Sequence, residues 1–347
     1  MSHRLKPFED QTIVLTGASS GIGLATARLA AQRGARLVLA ARSEDALREL
    51  ADEINRNGGE AIAVTCDVSK AEDVERLHEV AVERFGGYDS WINDAGVGMF
   101  GRMLDIPVAD MRKLFETNVW GVIRGSLTAA KHFKERADRR FCGAIINVGS
   151  VLSYQAIPLQ GPYVASKHAV KGFTDSLRME LEHDDVGASV TCIMPNAINT
   201  PYAEHAPNYL GNEATLPPPV YSPDTVARAI VHACATPTRN LTIGGAFKPV
   251  TGLNNLLPGV VDALMKTFMF PAQQKPDMPI ARREPRALTT ASSRTDSGSL
   301  HERSSEGRFE IPFSGYTQAK MHPLVTTAAL AGVGLLLAGL AGAARRD

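Results

Sequence analysis

The strongest constraint on the fold of this chain is an alternation, between residues 12 and 245, of short apolar runs rich in Val and Ile with longer segments of helical spacing. Short apolar runs bounded by turn residues are typical of strands buried on both faces of a parallel sheet. We predict strands at residues 12–16, 36–40, 61–66, 90–93, 144–148 and 189–193. Helices are expected at residues 22–33, 43–57, 71–84, 111–135 and 163–183. This order predicts one α/β domain whose sheet is covered by helices on both sides.

The composition changes twice beyond this region. Residues 271–323 lose aliphatic side chains and gain Pro, Ser, Arg and Glu, so we predict a flexible linker that buries too little apolar surface to offset its ordering entropy. Residues 324–344 carry no charge, and a helix of about 20 residues spans roughly 30 Å of hydrocarbon. The predicted segments are therefore an α/β domain (1–270), a linker (271–323) and a transmembrane helix (324–344). A buried or oligomerising helix is the alternative for the last segment.

Charge and cysteine content exclude some classes of function. Lys plus Arg and Asp plus Glu each total 37, so the whole molecule has no strong net field that would attract nucleic acid. The cysteines form no C-x-x-C pair and have no nearby histidine at metal-ligand spacing; they are Cys66, Cys142, Cys192 and Cys234. This pattern predicts no metal site and reduced thiols in a cytosolic compartment.

A glycine-rich turn joins the first predicted strand to the first predicted helix. Glycines in such a turn allow backbone N–H groups to approach a pyrophosphate, which the helix N-terminus also attracts. A purely structural joint is the alternative. The residues expected to hold a dinucleotide here are Gly17, Ser19, Ser20, Gly21, Ile22 and Gly23.

The end of the second predicted strand indicates which dinucleotide is bound. Arg42 stands where a carboxylate would otherwise accept hydrogen bonds from the adenosine ribose, and its guanidinium suits a 2′-phosphate. Glu44 and Asp45 follow early in a helix, where they favour its dipole. Asp67, after the third strand, either accepts from the adenine amino group or caps the next helix. The sequence therefore predicts NADP(H) rather than NAD, with an ordinary exposed arginine as the alternative.

Tyr163 and Lys167 lie four residues apart and so share one face of a predicted helix. An ammonium group near a phenol lowers the pKa of the phenol, which then exchanges a proton near neutral pH. Ser150 follows a strand and is expected to hold the substrate oxygen, while Asn118 is expected to fix a helix backbone and a water. Taken singly, these residues have structural alternatives: an amphipathic helix pair, a loop cap and a buried polar pin.

These motifs, taken in order, resemble the short-chain dehydrogenase/reductase family over residues 11 to 245. Thr16 to Gly23 match its glycine motif, Asp67 its adenine contact and Asn93 to Gly96 its Asn-Asn-Ala-Gly stretch. Its catalytic tetrad is matched by Asn118, Ser150, Tyr163 and Lys167. The resemblance implies a Rossmann-type, doubly wound sheet and direct hydride transfer without a metal.

The same resemblance implies further cofactor contacts. Lys167 also holds the nicotinamide ribose, and a loop near residue 200 surrounds the nicotinamide amide. Besides Tyr163 and Lys167, the implied contacts are Val68, Asn93, Ala95, Gly96, Pro195, Ile198 and Thr200. The chain departs from the family pattern at Asp94, Gly149 and Asn196. The first and last of these departures bear on the fine positioning of the cofactor, and none removes a proton-transfer group.

Together these features predict an NADP(H)-dependent oxidoreductase that interconverts a lipophilic alcohol and its carbonyl. A catalytically silent dinucleotide sensor or membrane scaffold and an NAD-dependent alcohol dehydrogenase are the alternatives. Residues 200–222 resemble a variable substrate lid, and residues 252–270 close the pocket, pack on the core or rest on a membrane. The tail predicts membrane association with the α/β domain in the cytoplasm. The resemblance further implies a homodimer or homotetramer formed through helices 111–135 and 163–183.

Overall fold

The computed structural model describes residues 4–136, 140–279, 288, 300–304, 307, 309–328 and 331. The strands are β1 Thr12–Thr16, β2 Arg36–Ala41, β3 Glu60–Thr65, β4 Ser90–Asn93, β5 Gly143–Val148, β6 Ala188–Pro195, β7 Ala197–Ile198, β8 Asn212–Ala214, β9 Val220–Tyr221, β10 Asn240–Ile243 and β11 Gln274–Pro279. The helices are α1 Gly21–Gln32, α2 Glu44–Arg56, α3 Ala71–Phe85, α4 Val108–Phe115, α5 Gly121–Glu135, α6 Gly161–His183, α7 Tyr202–His205, α8 Pro223–Ala235, α9 Phe247–Leu256, α10 Pro258–Ala272 and α11 Gly315–Met321.

The main sheet has seven strands in the order β3-β2-β1-β4-β5-β6-β10. All of its strand pairs are parallel. The remaining strands form two small pairs, β7 with β9 and β8 with β11. The prediction of a doubly wound α/β/α fold is confirmed, and the six predicted strands lie within two residues of their observed bounds. Strand β10 had not been predicted.

Alternate side chains of the central strands enter two separate cores. Leu15 on β1 and Leu37 on β2 pack with Leu24 of α1 on one side of the sheet. Val14 and Val38 face the other side, where they join α3 and α6. Burying one such aliphatic side chain contributes about 1.5 to 3 kcal/mol, so strands that are apolar on both faces are best accommodated between two helical layers.

The predicted helix 111–135 is not continuous. A π-helical turn, Glu116–Trp120, separates α4 from α5. Such turns arise where one extra residue is accommodated, and they are frequent at functional sites. The turn contains Asn118, whose side chain bonds to a neighbouring loop rather than facing solvent. Local helical spacing could not reveal this interruption, since the flanking residues Phe115 and Gly121 both have helical backbone angles.

Some described residues of the predicted linker, around 311–321, pack against the domain. Helix α11 buries Thr317 and Met321, and Ser314 caps it by accepting from the Thr317 N–H. Ile311 joins β9 by backbone hydrogen bonds, its N–H donating to Val220 and its carbonyl accepting from Ser222. Long-range contacts therefore order a segment whose composition is poor in aliphatic residues. The division into three segments stays a prediction.

The predicted transmembrane helix lies largely outside the described residues, which include only 324–328 and 331 of that range. Among the residues that the structure describes, no helix is both long enough and apolar enough to cross a bilayer.

Candidate active site

A cleft opens where β1 and β4 lie side by side and the order of the strands reverses. This is the position at which open α/β sheets bind their ligands. The loop after β1 forms one wall, through Gly17 and Ser19 to Ile22, while Ala95 and Gly96 after β4 form the floor. Residues 195–202 and the start of α6 complete the other wall.

The glycines of the loop allow close contacts that side chains would prevent. Gly17 has a φ of 78°, and a Cβ there would lie 2.7 Å from the Ala95 nitrogen. At Gly23 a Cβ would meet the Gly17 carbonyl oxygen at 2.1 Å, so α1 approaches the loop very closely. Gly21 faces the Thr200 side chain across the cleft at 3.1 Å from the position of its absent Cβ. These close approaches hold the loop, α1 and the β4 loop together, which is the packing that a glycine-rich dinucleotide turn requires.

Arg42 follows β2 and lines the same cleft, together with Asp67 and Val68. Burial lowers the pKa of Arg42, and the negative charge of Asp67 acts in the opposite direction. Glu44 instead lies exposed beside Arg48 on α2, as expected for a partner of the helix dipole. The end of the cleft at which the sequence predicts the adenosine therefore carries the guanidinium of Arg42.

Asp67 has a second role that the sequence left open. Its Oδ1 accepts hydrogen bonds from the N–H of Ser69 at 3.0 Å and from the Ser69 hydroxyl at 2.7 Å. This bonding closes the turn before α3, which begins at Ala71. Because Asp67 also lines the cleft, the turn and the proposed adenine contact use the same side chain.

The side chain of Asn93 does not line the cleft. Its Oδ1 accepts from Trp91 Nε1, and its Nδ2 donates to Asn147 and Ser126, all inside the core. Asn93 therefore ties β4 to β5 and α5 through its side chain, and its predicted contact with the cofactor stays a prediction. Gly23 likewise acts by close packing of α1 behind the loop rather than by lining the cleft.

Asn118 also lies behind the cleft wall. Its Oδ1 accepts from the Val97 N–H at 2.8 Å, and its Nδ2 donates to the Val97 carbonyl at 2.9 Å and to the Ser166 hydroxyl at 3.2 Å. The two bonds to one backbone residue fix the loop that carries Gly96. Asn118 thus connects the π-helical turn, the β4 loop and α6, and the backbone it fixes is that of the loop at Val97 rather than of a helix.

The structure brings Ser150, Tyr163 and Lys167 together in the cleft. The Lys167 Nζ lies 5.6 Å from the Tyr163 ring centre and donates to the Val148 carbonyl at 2.8 Å. Ser150 caps the 3-10 helix Val151–Ser153 by accepting from the Leu152 N–H, so its structural and functional readings coexist. The Tyr163 hydroxyl is within hydrogen-bonding reach of the Ser150 hydroxyl.

The pKa of Tyr163 in this group differs from what the sequence predicted. Burial raises the pKa of Tyr163 to about 12, and the hydrogen bond with Ser150 acts in the opposite direction. Burial also lowers the pKa of Lys167, against the negative charge of Asp94. The pKa of Asp94 is itself raised, chiefly by burial. The predicted lowering of the pKa of Tyr163 toward neutrality is therefore not a property of these side chains alone, because desolvation outweighs the hydrogen bonds from Ser150 and Tyr202.

The substrate side of the cleft contains Gln160, which the sequence did not single out, and Tyr202, which belongs to the predicted substrate lid. Tyr202 and Gln160 both line it beside Tyr163, and their side chains bond to each other. His205 lines the cleft as well. The sequence gave little indication that these two side chains meet. Gln160 precedes α6 and Tyr202 follows the predicted cofactor loop, and the two form no recognised motif.

Comparisons with known proteins match this architecture. The family model for short chain dehydrogenase matches residues 11–209. An uncharacterized oxidoreductase of Bacillus subtilis, YxnA, is 42% identical over 331 residues, which cover 95% of this chain and 90% of that protein.

Solved structures with this fold hold different dinucleotides. An alcohol dehydrogenase from the archaeon Thermococcus sibiricus, complexed with 5-hydroxy-NADP, is 29% identical with a TM-score of 0.58 and covers 67% of this chain and 95% of its own. A short chain dehydrogenase/reductase from Burkholderia phymatum, in complex with NAD, is 27% identical with a TM-score of 0.65 and covers 80% of this chain and 100% of its own. Similarity alone therefore does not choose between NAD and NADP.

Proposed function

Because the chain belongs to the short-chain dehydrogenase/reductase family of oxidoreductases, we propose that it interconverts an alcohol and a carbonyl with NADP(H), and that Tyr163 transfers the proton. The observation that carries this proposal is a single cleft with two chemically distinct ends. Arg42 stands at one end, and Ser150, Tyr163 and Lys167 meet at the other, with the glycine loop between them.

Tyr163 and Ser150 have different roles in carbonyl reduction. A bound NADPH supplies the hydride that the carbonyl carbon receives. Tyr163 gives its hydroxyl proton to the substrate oxygen, which becomes an alcohol, and is left as a phenolate. Ser150 holds that oxygen by a hydroxyl hydrogen bond. With a pKa of about 12, Tyr163 is protonated at neutral pH, which is the form that reduction requires.

Lys167 supports the reaction electrostatically. Its ammonium stands beside the Tyr163 ring and is anchored on the Val148 carbonyl. A positive charge at this distance stabilises a phenolate more than a neutral phenol. Asp94 moderates this charge from the β4 loop, where the family pattern has an asparagine.

The choice of NADP rests on Arg42. A guanidinium binds a phosphate through two parallel, charge-assisted hydrogen bonds, whereas a ribose hydroxyl pair would favour a carboxylate at this turn. Leu152, Phe247 and Leu216 line the substrate side, which favours an apolar carbonyl compound.

Replacement of Tyr163 by Phe tests the reaction. We expect turnover with a panel of carbonyl compounds and NADPH to fall by on the order of 10²- to 10⁴-fold, while NADP binding is largely kept. Tyr154→Phe is the matched control, because Tyr154 is 37% exposed and lies outside the cleft. Retained turnover in Tyr163→Phe would contradict the assignment.

Titration of wild type and Arg42→Ala with NADP and NAD tests the cofactor. Loss of a charge-assisted pair costs about 1.5 to 3 kcal/mol, so NADP affinity should fall about 10- to 100-fold while NAD affinity changes little. Arg48→Ala on the exposed face of α2 is the control. An equal loss for both dinucleotides would exclude Arg42 as the selector.

We also retain two proposals about partners. Trp120, Leu127 and Met179 are exposed on the π-helical turn, α5 and α6, which supports homo-oligomers through these helices. The uncharged sequence 324–344 supports a membrane tether. Deleting the chain from Leu324 onward keeps the packed Met321 and should release the protein from the membrane fraction; unchanged fractionation would refute the tether.

A further inference from the structure

Tyr202 is seated directly on the catalytic tyrosine. The centres of the Tyr202 and Tyr163 rings lie 5.3 Å apart at an interplanar angle of 65°. The Tyr202 ring fits over Gly98, where a Cβ would come within 2.5 Å of its Cζ. Phe100 contacts its other side at 6.0 Å between ring centres. The absence of a side chain at residue 98 therefore permits a second phenol beside the reacting one.

Tyr202 stands at the end of a buried chain of hydrogen bonds. Its hydroxyl donates to Gln160 Oε1 at 3.1 Å, and Gln160 Nε2 donates to Gln273 Oε1 at 2.7 Å. Gln273 Nε2 donates to the carbonyls of Pro158 and Met269, both at 2.9 Å. Gln160 and Gln273 are 3% and 0% exposed.

The direction of this chain is determined at its far end. A backbone carbonyl can only accept, so the amide nitrogen of Gln273 has to face Pro158 and Met269. Its oxygen then takes the Gln160 N–H, and the oxygen of Gln160 is left to accept from Tyr202. The single proton of the Tyr202 hydroxyl is thus drawn toward Gln160 while Tyr163 is neutral.

Proton transfer to a substrate changes this balance. Tyr163 becomes a phenolate, and a hydrogen bond to an ionised acceptor is roughly twice as strong as one between neutral groups. The Tyr202 hydroxyl lies close enough to Tyr163 for a side-chain hydrogen bond. A rotation about the Tyr202 C–O bond is sufficient to redirect its proton from the Gln160 oxygen to the phenolate.

We propose that Tyr202 redirects its hydroxyl proton to the Tyr163 oxygen when Tyr163 has protonated the substrate, and so stabilises the phenolate that the reaction produces. No covalent bond of Tyr202 is broken. Only the acceptor changes, from Gln160 Oε1 to the oxygen of Tyr163. Tyr202 is therefore a positioning residue that acts through Tyr163, and this inference rests on the proposed function.

Other titratable groups line the same cleft and set the background for a test. Lys167 lies on the same helix as Tyr163, and Asp94 comes from the β4 loop. His205, on α7 with Tyr202, lines the cleft rim. None of the variants below alters these three groups, so changes in the ionisation of Tyr163 report on Tyr202 and its chain.

The experiment titrates Tyr163 in the full chain with NADP⁺ bound, by NMR of tyrosine labelled at Cζ, with the signal assigned by its loss in Tyr163→Phe. Tyr202→Phe keeps the ring over Gly98 and removes the hydroxyl. Loss of a hydrogen bond to a charged group should raise the pKa of Tyr163 by about one to two pH units. Gln160→Met should lower it, because Tyr202 then has no competing acceptor.

Kinetics provide an independent readout. The rise of alcohol oxidation with pH requires the phenolate, so its midpoint should move to higher pH in Tyr202→Phe and to lower pH in Gln160→Met. Tyr209→Phe is the matched control, since this lid hydroxyl bonds to Asp110 at 2.8 Å instead. An unchanged or lowered pKa in Tyr202→Phe, or shifts of equal sign in both variants, overturns the inference. The titration needs no turnover, so failure of the proposed function is seen separately.

Discussion

The glycine loop and the C-terminal segment 300–321 meet at Gly21, whose N–H donates to the His301 carbonyl at 3.0 Å. The conformations of these two regions depend on different kinds of contact. The loop depends on missing side chains, with Gly23 packed against the Gly17 carbonyl. The C-terminal segment depends on side chains that reach far along the chain, such as Glu302 to Arg28 and Thr317 to the Thr242 carbonyl.

The contrast explains how each region responds to its surroundings. A steric constraint between neighbouring residues is fulfilled wherever the strand-turn-helix unit forms. Ion pairs and caps between residues far apart exist only when the rest of the domain has folded. The loop should therefore be intolerant of any added atom, whereas the C-terminal segment should lose its contacts one at a time.

The largest expected effect is that of Gly23→Ala. Its Cβ would stand 2.1 Å from the Gly17 carbonyl oxygen, and backbone cannot yield there without moving α1. We expect a loss of about 3 kcal/mol or more in the free energy of unfolding, measured by urea denaturation. Gly172→Ala in α6 is the control, because nothing lies within 4 Å of its Cβ position. That change should stabilise by about 0.5 to 1 kcal/mol. Similar effects at both glycines would break the comparison.

Met321→Ala tests the packing of the C-terminal segment. Met321 is 9% exposed and belongs to the core beside α8, so truncation should cost about 2 to 3 kcal/mol of unfolding free energy. Leu324→Ala, three residues later, serves as the reference, because Leu324 is 85% exposed. It should change stability by less than about 0.5 kcal/mol. Equal stability of Met321→Ala and wild type would show that α11 is not part of the cooperative unit.

A double-mutant cycle between Arg28 and Glu302 measures the contact of α1 with the C-terminal segment. The Arg28 Nη1 and Glu302 Oε1 atoms lie 2.7 Å apart and both side chains are partly exposed. The coupling free energy between them should therefore be about 0.5 to 1 kcal/mol. The same cycle on the exposed pair of Glu44 and Arg48 within α2 should give about 0.3 to 0.5 kcal/mol. A coupling near zero for Arg28 and Glu302 would mean that the ion pair does not tie the two regions.

The smallest effect concerns pH. The hydrogen bond with Arg28 lowers the pKa of Glu53. A carboxyl with a depressed pKa contributes stability above its unfolded value of about 4.3, and this contribution is lost as pH falls through the folded value. Glu53→Gln should therefore flatten the loss of stability below pH ~5 by roughly 0.5 kcal/mol, measured by denaturation across pH. A steeper loss of stability at acid pH in Glu53→Gln than in wild type would contradict the lowered pKa of Glu53.

The predictable part of the molecule is the part set by short-range pattern. The strands from β1 to β6 were located from their apolar runs, which indicate burial on both faces for all but the edge strand β3. Ser150, Tyr163 and Lys167 do meet in the cleft. The direction of the Asn93 side chain was not predictable, because its partners Ser126 and Asn147 come from other elements. The hydrogen bond between Gln160 and Tyr202 was not predicted for the same reason, because the two residues are 42 positions apart in the chain.

The sequence by itself determined the layered α/β fold, the glycine loop and the helical pairing of Tyr163 with Lys167, since each depends on residues within one or two turns or strands. Tertiary structure decided the ionisation of Tyr163, the phenol placed beside it and the packing of residues 309–321. Desolvation and long-range hydrogen bonds depend on which distant groups surround an atom, and no local spacing of residues encodes that environment.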